Sequence, residues 1–218
     1  MKQQKTIYHL IVDKSGSMSD CIDNTINGFN EQVKKIQMLS REFPEQEMTI
    51  GLTMFNHEVQ HHSFQSAPHA IEMLNRKTYQ PNGNTALLDA IGLTVQRLEN
   101  EQYRSNNQLP TTVVVVILTD GEENSSGMFS LADIRSTIQR LSATEKWTFS
   151  FLGATLDAVE VAEQMAIHRD NSFSFEKTSM QEAVWDKLSS GMHSYMDKKR
   201  KGERLNKLFK DTDESTSH

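Results

Sequence analysis

Residues 6–17 read Thr6-Ile7-Tyr8-His9-Leu10-Ile11-Val12-Asp13-Lys14-Ser15-Gly16-Ser17. The run from Ile7 to Val12 suits a strand buried on both faces, because a strand with one solvated face would alternate with polar residues. It stops at an acid followed by hydroxyls at alternate positions. In an extended turn Asp13, Ser15 and Ser17 point the same way. Gly16 lets the backbone bend tightly between the two serines. An acid and two hydroxyls at the mouth of a buried strand are ligands for a hard cation.

Two later segments bring the same type of donor to comparable places: Gly83-Asn84-Thr85-Ala86-Leu87-Leu88-Asp89 and Leu118-Thr119-Asp120-Gly121. The second follows Val113-Val114-Val115-Val116-Ile117-Leu118, whose uninterrupted β-branched character marks a central parallel strand. Thr85 is expected to open a helix, with Leu87, Ile91, Val95 and Leu98 on one face. Asp89, four residues on, shares its face. From there Asp89 is expected to hydrogen-bond the serine turn or a metal-bound water.

The remaining segments set the architecture. Ile22, Ile26, Phe29, Val33, Ile36 and Leu39 recur at helical spacing and stop before Pro44. Met48 to Phe55 alternates as a strand, and Glu58 to Phe64 reads as a more polar edge strand joined to it by a hairpin. A short helix is expected after Pro68, carrying Ile71 and Leu74. Ser130 with Asp133 predicts a capped helix through Leu131, Ile134, Ile138 and Leu141. Then come a strand at Trp147–Leu152, a helix at Leu156–Ala166, a short strand at Ser172–Phe175 and a final helix from Thr178 to Tyr195. This order predicts an α/β, doubly wound, mostly parallel six-stranded sheet with one antiparallel edge strand and helices on both faces. In such a sheet ligands bind beyond the carboxyl ends of the strands, where Asp13, Thr85 and Asp120 all fall.

Asp-x-Ser-x-Ser at 13–17, Thr85 in a Gly-x-Thr-Ala-Leu-x-Asp-Ala setting, and Asp120 in Thr-Asp-Gly together resemble the von Willebrand factor A-type domain, related to the inserted domain of integrins. The resemblance covers about Lys5 to Tyr195 and points to a bacterial cytosolic type. It implies a metal-ion-dependent adhesion site with Asp13, Ser15, Ser17, Thr85 and Asp120 as the metal ligands, supported by Asp89. It also implies a bound divalent cation that bridges to an exposed Asp or Glu of a partner protein. All-oxygen ligation suits Mg²⁺, or Mn²⁺ or Ca²⁺, rather than zinc. The implied role is non-catalytic protein binding by an adaptor or regulatory domain. No catalytic residue and no organic cofactor is assigned.

Two other readings compete. His57-Glu58-Val59-Gln60-His61 spells His-Glu-x-x-His, the signature of zinc metallopeptidases, with His57 and His61 as ligands and Glu58 as general base. That chemistry needs a helix, and on a strand the two histidines would stand roughly 13 Å apart. The second competitor is a scaffold that binds through its basic C-terminal segment, Lys198, Lys199, Arg200, Lys201, Arg204, Lys207 and Lys210. The domain is expected to span 5–197. Residues 198–218 are expected to form a basic and then polar tail, frayed or disordered.

Bulk properties narrow the function classes. The 218 residues fit one domain. A net charge of −6 gives the chain as a whole no electrostatic reason to seek nucleic acid or an anionic membrane. The single cysteine, Cys21, precludes an internal disulfide and agrees with a reducing compartment. The polar N-terminus and the short apolar run behind it do not read as a secretory leader, and no segment approaches roughly 18 uninterrupted apolar residues. A cytoplasmic location is expected.

Overall fold

The computed structural model describes residues 4–104, 109–203 and 207–209. Six strands form one sheet: β1 (Gln4–Asp13), β2 (Gln46–Phe55), β3 (Val59–Ser66), β4 (Thr111–Thr119), β5 (Trp147–Gly153) and β6 (Ser172–Ser174). Their spatial order is β3-β2-β1-β4-β5-β6. Every pairing is parallel except the β2–β3 hairpin at the edge. The helices are α1 (Ile22–Glu42), α2 (Leu87–Arg104), α3 (Leu131–Ser142), α4 (Ala158–Gln164) and α5 (Lys187–Arg200). A turn of π-helix, Gln181–Asp186, leads into α5. Among the described residues, no helix is long and apolar enough to cross a membrane.

The central strands are apolar throughout because each feeds two cores. Tyr8, Leu10 and Val12 of β1, with Val114, Val116 and Leu118 of β4, pack beneath α1 and α5. Ile7 and Ile11, with Val113, Val115 and Ile117, turn the other way against α2, α3 and α4. The period of two thus sends alternate side chains of one run to opposite layers. His9 is the polar exception. It is fully buried, its Nε2 lies 2.9 Å from Thr53 Oγ1, and burial, with smaller effects of His61 and Arg97, lowers its pKa to about 3. Its imidazole is therefore neutral at physiological pH.

Two expectations change. No helix follows Pro68: residues 67–79 are turns and irregular chain. Hydrogen bonds from α1 take over the backbone there. Asn30 grips Leu74 from both sides, accepting from its N–H at 2.8 Å and donating to its carbonyl at 2.9 Å, while Gln37 donates to Pro68 O. Ile71 and Leu74 are buried all the same, on an irregular strap rather than a helix.

The domain boundary expected after Asp197 also falls inside a helix. α5 continues to Arg200, and Lys199 is buried below the sheet with Nζ on Lys5 O, Thr6 Oγ1 and Thr112 Oγ1 at 2.7–2.8 Å. Farther on, Leu208 is buried and its N–H donates to Asn171 Oδ1, and Phe209 meets Phe173 edge-on. The basic composition hid an inward-facing lysine and an apolar anchor. Arg204, Lys210 and the polar stretch 211–218 lie outside the described residues.

Candidate metal centre

The parallel register brings the site together. Val12 of β1 pairs with Leu118 of β4, so Asp13 and Thr119 leave the sheet side by side. Asp13 is buried. Its Oδ1 accepts from Ser15 N–H at 2.6 Å and its Oδ2 from the Thr119 hydroxyl at 2.6 Å. Burial, aided by the nearby Asp120 and opposed by those hydrogen bonds, raises its pKa to about 6. Tyr79, fully buried, donates its phenol to Asp13 O at 2.7 Å and anchors the backbone of the turn.

Ser15 is extended, and Gly16–Asp20 is a 3₁₀ turn. The serines face each other, Oγ to Oγ at 3.0 Å, although Ser17 lies in the 3₁₀ turn rather than in the extended turn expected. The Ser17 hydroxyl donates to Asp120 Oδ1 at 2.7 Å, joining the first and third segments. The second segment is tied in by backbone. Gly16 N–H donates to Gly83 O at 3.0 Å, Lys14 O accepts from Asn82 N–H at 2.9 Å, and Ala86 N–H donates to Asn56 O at 2.7 Å. Gly83 holds φ +73°, and a Cβ there would lie 2.3 Å from His57 Nδ1, so this link needs glycine.

Gly121 locates the point of convergence. A Cβ built on it would stand 2.9 Å from Thr85 Oγ1, 3.5 Å from Ser17 Oγ and 3.7 Å from Asp13 Oδ2. Oxygens from the first two segments thus border one small volume beside the third, which the missing side chain leaves open. Five hydroxyl and carboxylate donors with no nitrogen or sulfur fit a hard divalent cation. Among the described residues, no three His, Cys, Asp or Glu side chains gather as a metal-holding group, so hydroxyls would have to complete any ligand set here.

The family model for the von Willebrand factor type A domain matches residues 9–189. The chain belongs to this family. Solved structures with the same fold include proximal thread matrix protein 1 from the mussel byssus (16% identity, TM-score 0.55, covering 85% of this chain and 45% of that one). Another is the von Willebrand factor domain of a type V pili tip protein from Porphyromonas gingivalis (11%, TM-score 0.59, 89% and 96%). A third is the manganese-loaded TRAP protein of Plasmodium vivax (18%, TM-score 0.57, 83% and 72%). The chain spans less than half of the mussel protein's length. A search of curated protein sequences found no match.

Within this von Willebrand A domain, Asp89 does not reach the serine turn. Its Oδ1 accepts from Met128 and Phe129 N–H and its Oδ2 from Gly127 N–H, all at 2.9 Å. Helix α2 begins at Leu87 rather than Thr85, and the carboxylate folds onto the loop leading to α3. The side chain positions that loop. Glu123 is also held by backbone amides. It accepts from Leu88 N–H and from Ser125 and Ser126 N–H, capping the start of α2, and these bonds overcome burial to lower its pKa. Glu122 is exposed.

Three contributors escaped the sequence reading. Thr119 orients Asp13, and its position two residues from Gly121 at a strand end was the available hint. Asn124 clamps Thr85, its Oδ1 accepting from Thr85 N–H at 2.9 Å and its own N–H donating to Thr85 O at 3.1 Å. Lys177, in the 3₁₀ turn Lys177–Ser179 between β6 and α5, places Nζ 2.5 Å from Asp120 Oδ2. Nothing local to Asn124 or Lys177 signals either role.

The His-Glu-x-x-His motif is divided. His57 and Glu58 lie in the hairpin bend, His61 is in β3, and His61 Nδ1 lies 2.9 Å from Thr53 Oγ1. The helical pair that a zinc peptidase needs is not formed.

Proposed function

We propose that this domain recognises an acidic side chain of a partner protein through a divalent cation, and that its role is binding rather than catalysis. Asp13, Ser15, Ser17, Thr85 and Asp120 would hold the ion. When bound, the ion supplies an electron-poor centre that accepts an external carboxylate. The observation that carries this reading is the cluster of Thr85 Oγ1, Ser17 Oγ and Asp13 Oδ2 around the open position above Gly121.

The donor chemistry favours Mg²⁺ or Mn²⁺. Three of the five ligands are neutral hydroxyls, so the bound ion keeps much of its charge for a further anionic ligand. The manganese-loaded Plasmodium TRAP protein, similar in fold, supports the choice of Mn²⁺ as a probe.

Affinity capture tests the proposal. Partners should be retained by the immobilised full chain in Mg²⁺, released by chelator and not retained by Asp120→Ala. Replacing the contacting Asp or Glu of a captured partner with its amide should abolish retention. Retention that ignores both chelator and Asp120→Ala would refute it.

A further inference from the structure

Among the described residues, Lys177 is the one lysine whose ammonium sits against a proposed metal ligand. Its Nζ is 2.5 Å from Asp120 Oδ2, 2.7 Å from Ser17 O, and 3.0 and 3.3 Å from the two oxygens of Asp20. The Asp120 side chain is fully buried while that of Lys177 is 27% exposed, so the lysine closes the solvent side of Asp120. The turn that carries it is docked on α1, where Asn24 donates to Lys177 O at 3.3 Å. The ammonium therefore arrives from the β6–α5 connection, a part of the chain that supplies no ligand.

Asp120 has two oxygens, and both are engaged: Oδ1 accepts from the Ser17 hydroxyl, and Oδ2 faces the ammonium. A dication sharing Ser17 and Asp120 would stand only a few ångströms from that positive charge, and two like charges separated by one carboxylate repel strongly in a partly buried site. We propose that Lys177 is a built-in counter-cation that competes with the divalent ion for Asp120. In the ion's absence it neutralises the carboxylates. When the ion binds, the ammonium leaves Asp120 and keeps to Asp20, whose side chain is largely exposed at the rim. Metal occupancy is thereby coupled to the position of the Lys177–Ser179 turn. The inference rests on the metal-site reading above, and it adds a regulator of that site's affinity.

The test is Mn²⁺ titration calorimetry of the full chain, wild type against Lys177→Met and Lys177→Arg. It is paired with acylation of lysine amines mapped by mass spectrometry with Mn²⁺ and with chelator. Lys177→Met should bind Mn²⁺ roughly tenfold more tightly, a typical size for coupling between two sites. Lys177→Arg, which keeps the charge, should stay near wild type. In the wild type, Mn²⁺ should raise acylation of Lys177 several-fold and leave that of Lys34 unchanged. Equal or weaker Mn²⁺ binding by Lys177→Met, or acylation of Lys177 indifferent to Mn²⁺, overturns this inference alone. Absence of Mn²⁺ binding in all three proteins overturns the metal-site reading and this inference together.

Discussion

The hydroxyl of Ser17 donates to Asp120 Oδ1 over 2.7 Å, although 103 positions separate the two residues. This bond closes the site, because it joins the turn after β1 to the turn after β4, while Gly16 N–H on Gly83 O brings in the segment that carries Thr85. A ligand that binds the folded chain but not the unfolded one raises stability by mass action, ~2.7 kcal/mol at a hundred times its dissociation constant. Saturating Mg²⁺ should therefore raise the unfolding midpoint measured in urea. Asp13→Ala and Thr85→Ala should each abolish that increment.

Gly121→Ala is a sharper probe, because it removes no ligand. The added Cβ would lie 2.9 Å from Thr85 Oγ1, inside ordinary contact, and would fill the volume the oxygens surround. The chelated protein should lose about 1–3 kcal/mol, the range for overpacking a well-packed site. Its Mg²⁺-dependent increment should disappear, as urea melts with and without Mg²⁺ will register.

Asp89→Ala separates scaffold from site. The carboxylate accepts three backbone hydrogen bonds from residues 127–129; a bond to a charged group contributes about 1.5–3 kcal/mol net of water, and three that share one charge do not add in full. Stability should fall by about 2–4 kcal/mol equally in Mg²⁺ and in chelator. Mn²⁺ stoichiometry by calorimetry should be unchanged.

The buried Lys199 gives a pH signature at the opposite end of the sheet. Burial lowers its pKa from the ordinary 10.5 to about 7, while three neutral oxygens receive its protons. Between about pH 7 and 10.5 the unfolded chain holds the proton more than the folded one does, so this group's contribution to stability rises with pH across that window. Below about pH 7 both states are protonated and the folded state carries the full desolvation cost. Urea melts of wild type between pH 7 and 10 should show the rise relative to Lys199→Met, which lacks the titrating group.

Much of the fold is legible in the sequence. The apolar runs at Ile7–Val12 and Val113–Leu118 announced strands with a core on each side, and the two clusters confirm that arrangement. Ser130 and Asp133 form the expected capping box. The oxygen donors were readable because each stands at a strand or helix junction, where a parallel sheet collects its loops. What escaped depends on contacts between distant segments. The strap after Pro68 follows side chains of α1 rather than its own propensity. Asp89 chose the amides of 127–129 over the serine turn, a competition that spacing on a helix does not decide. Lys199 and Lys177 looked like ordinary surface charges, and only the packing of α5 and its preceding turn shows one beneath the sheet and the other on Asp120.

The most direct measurement is anomalous scattering from crystals of the full chain grown with Mn²⁺. A single strong peak should lie among Asp13, Ser15, Ser17, Thr85 and Asp120, on the open side of Gly121. A peak on the histidines near His57 and His61, or none within reach of the Asp13 turn at saturating Mn²⁺, would contradict the account.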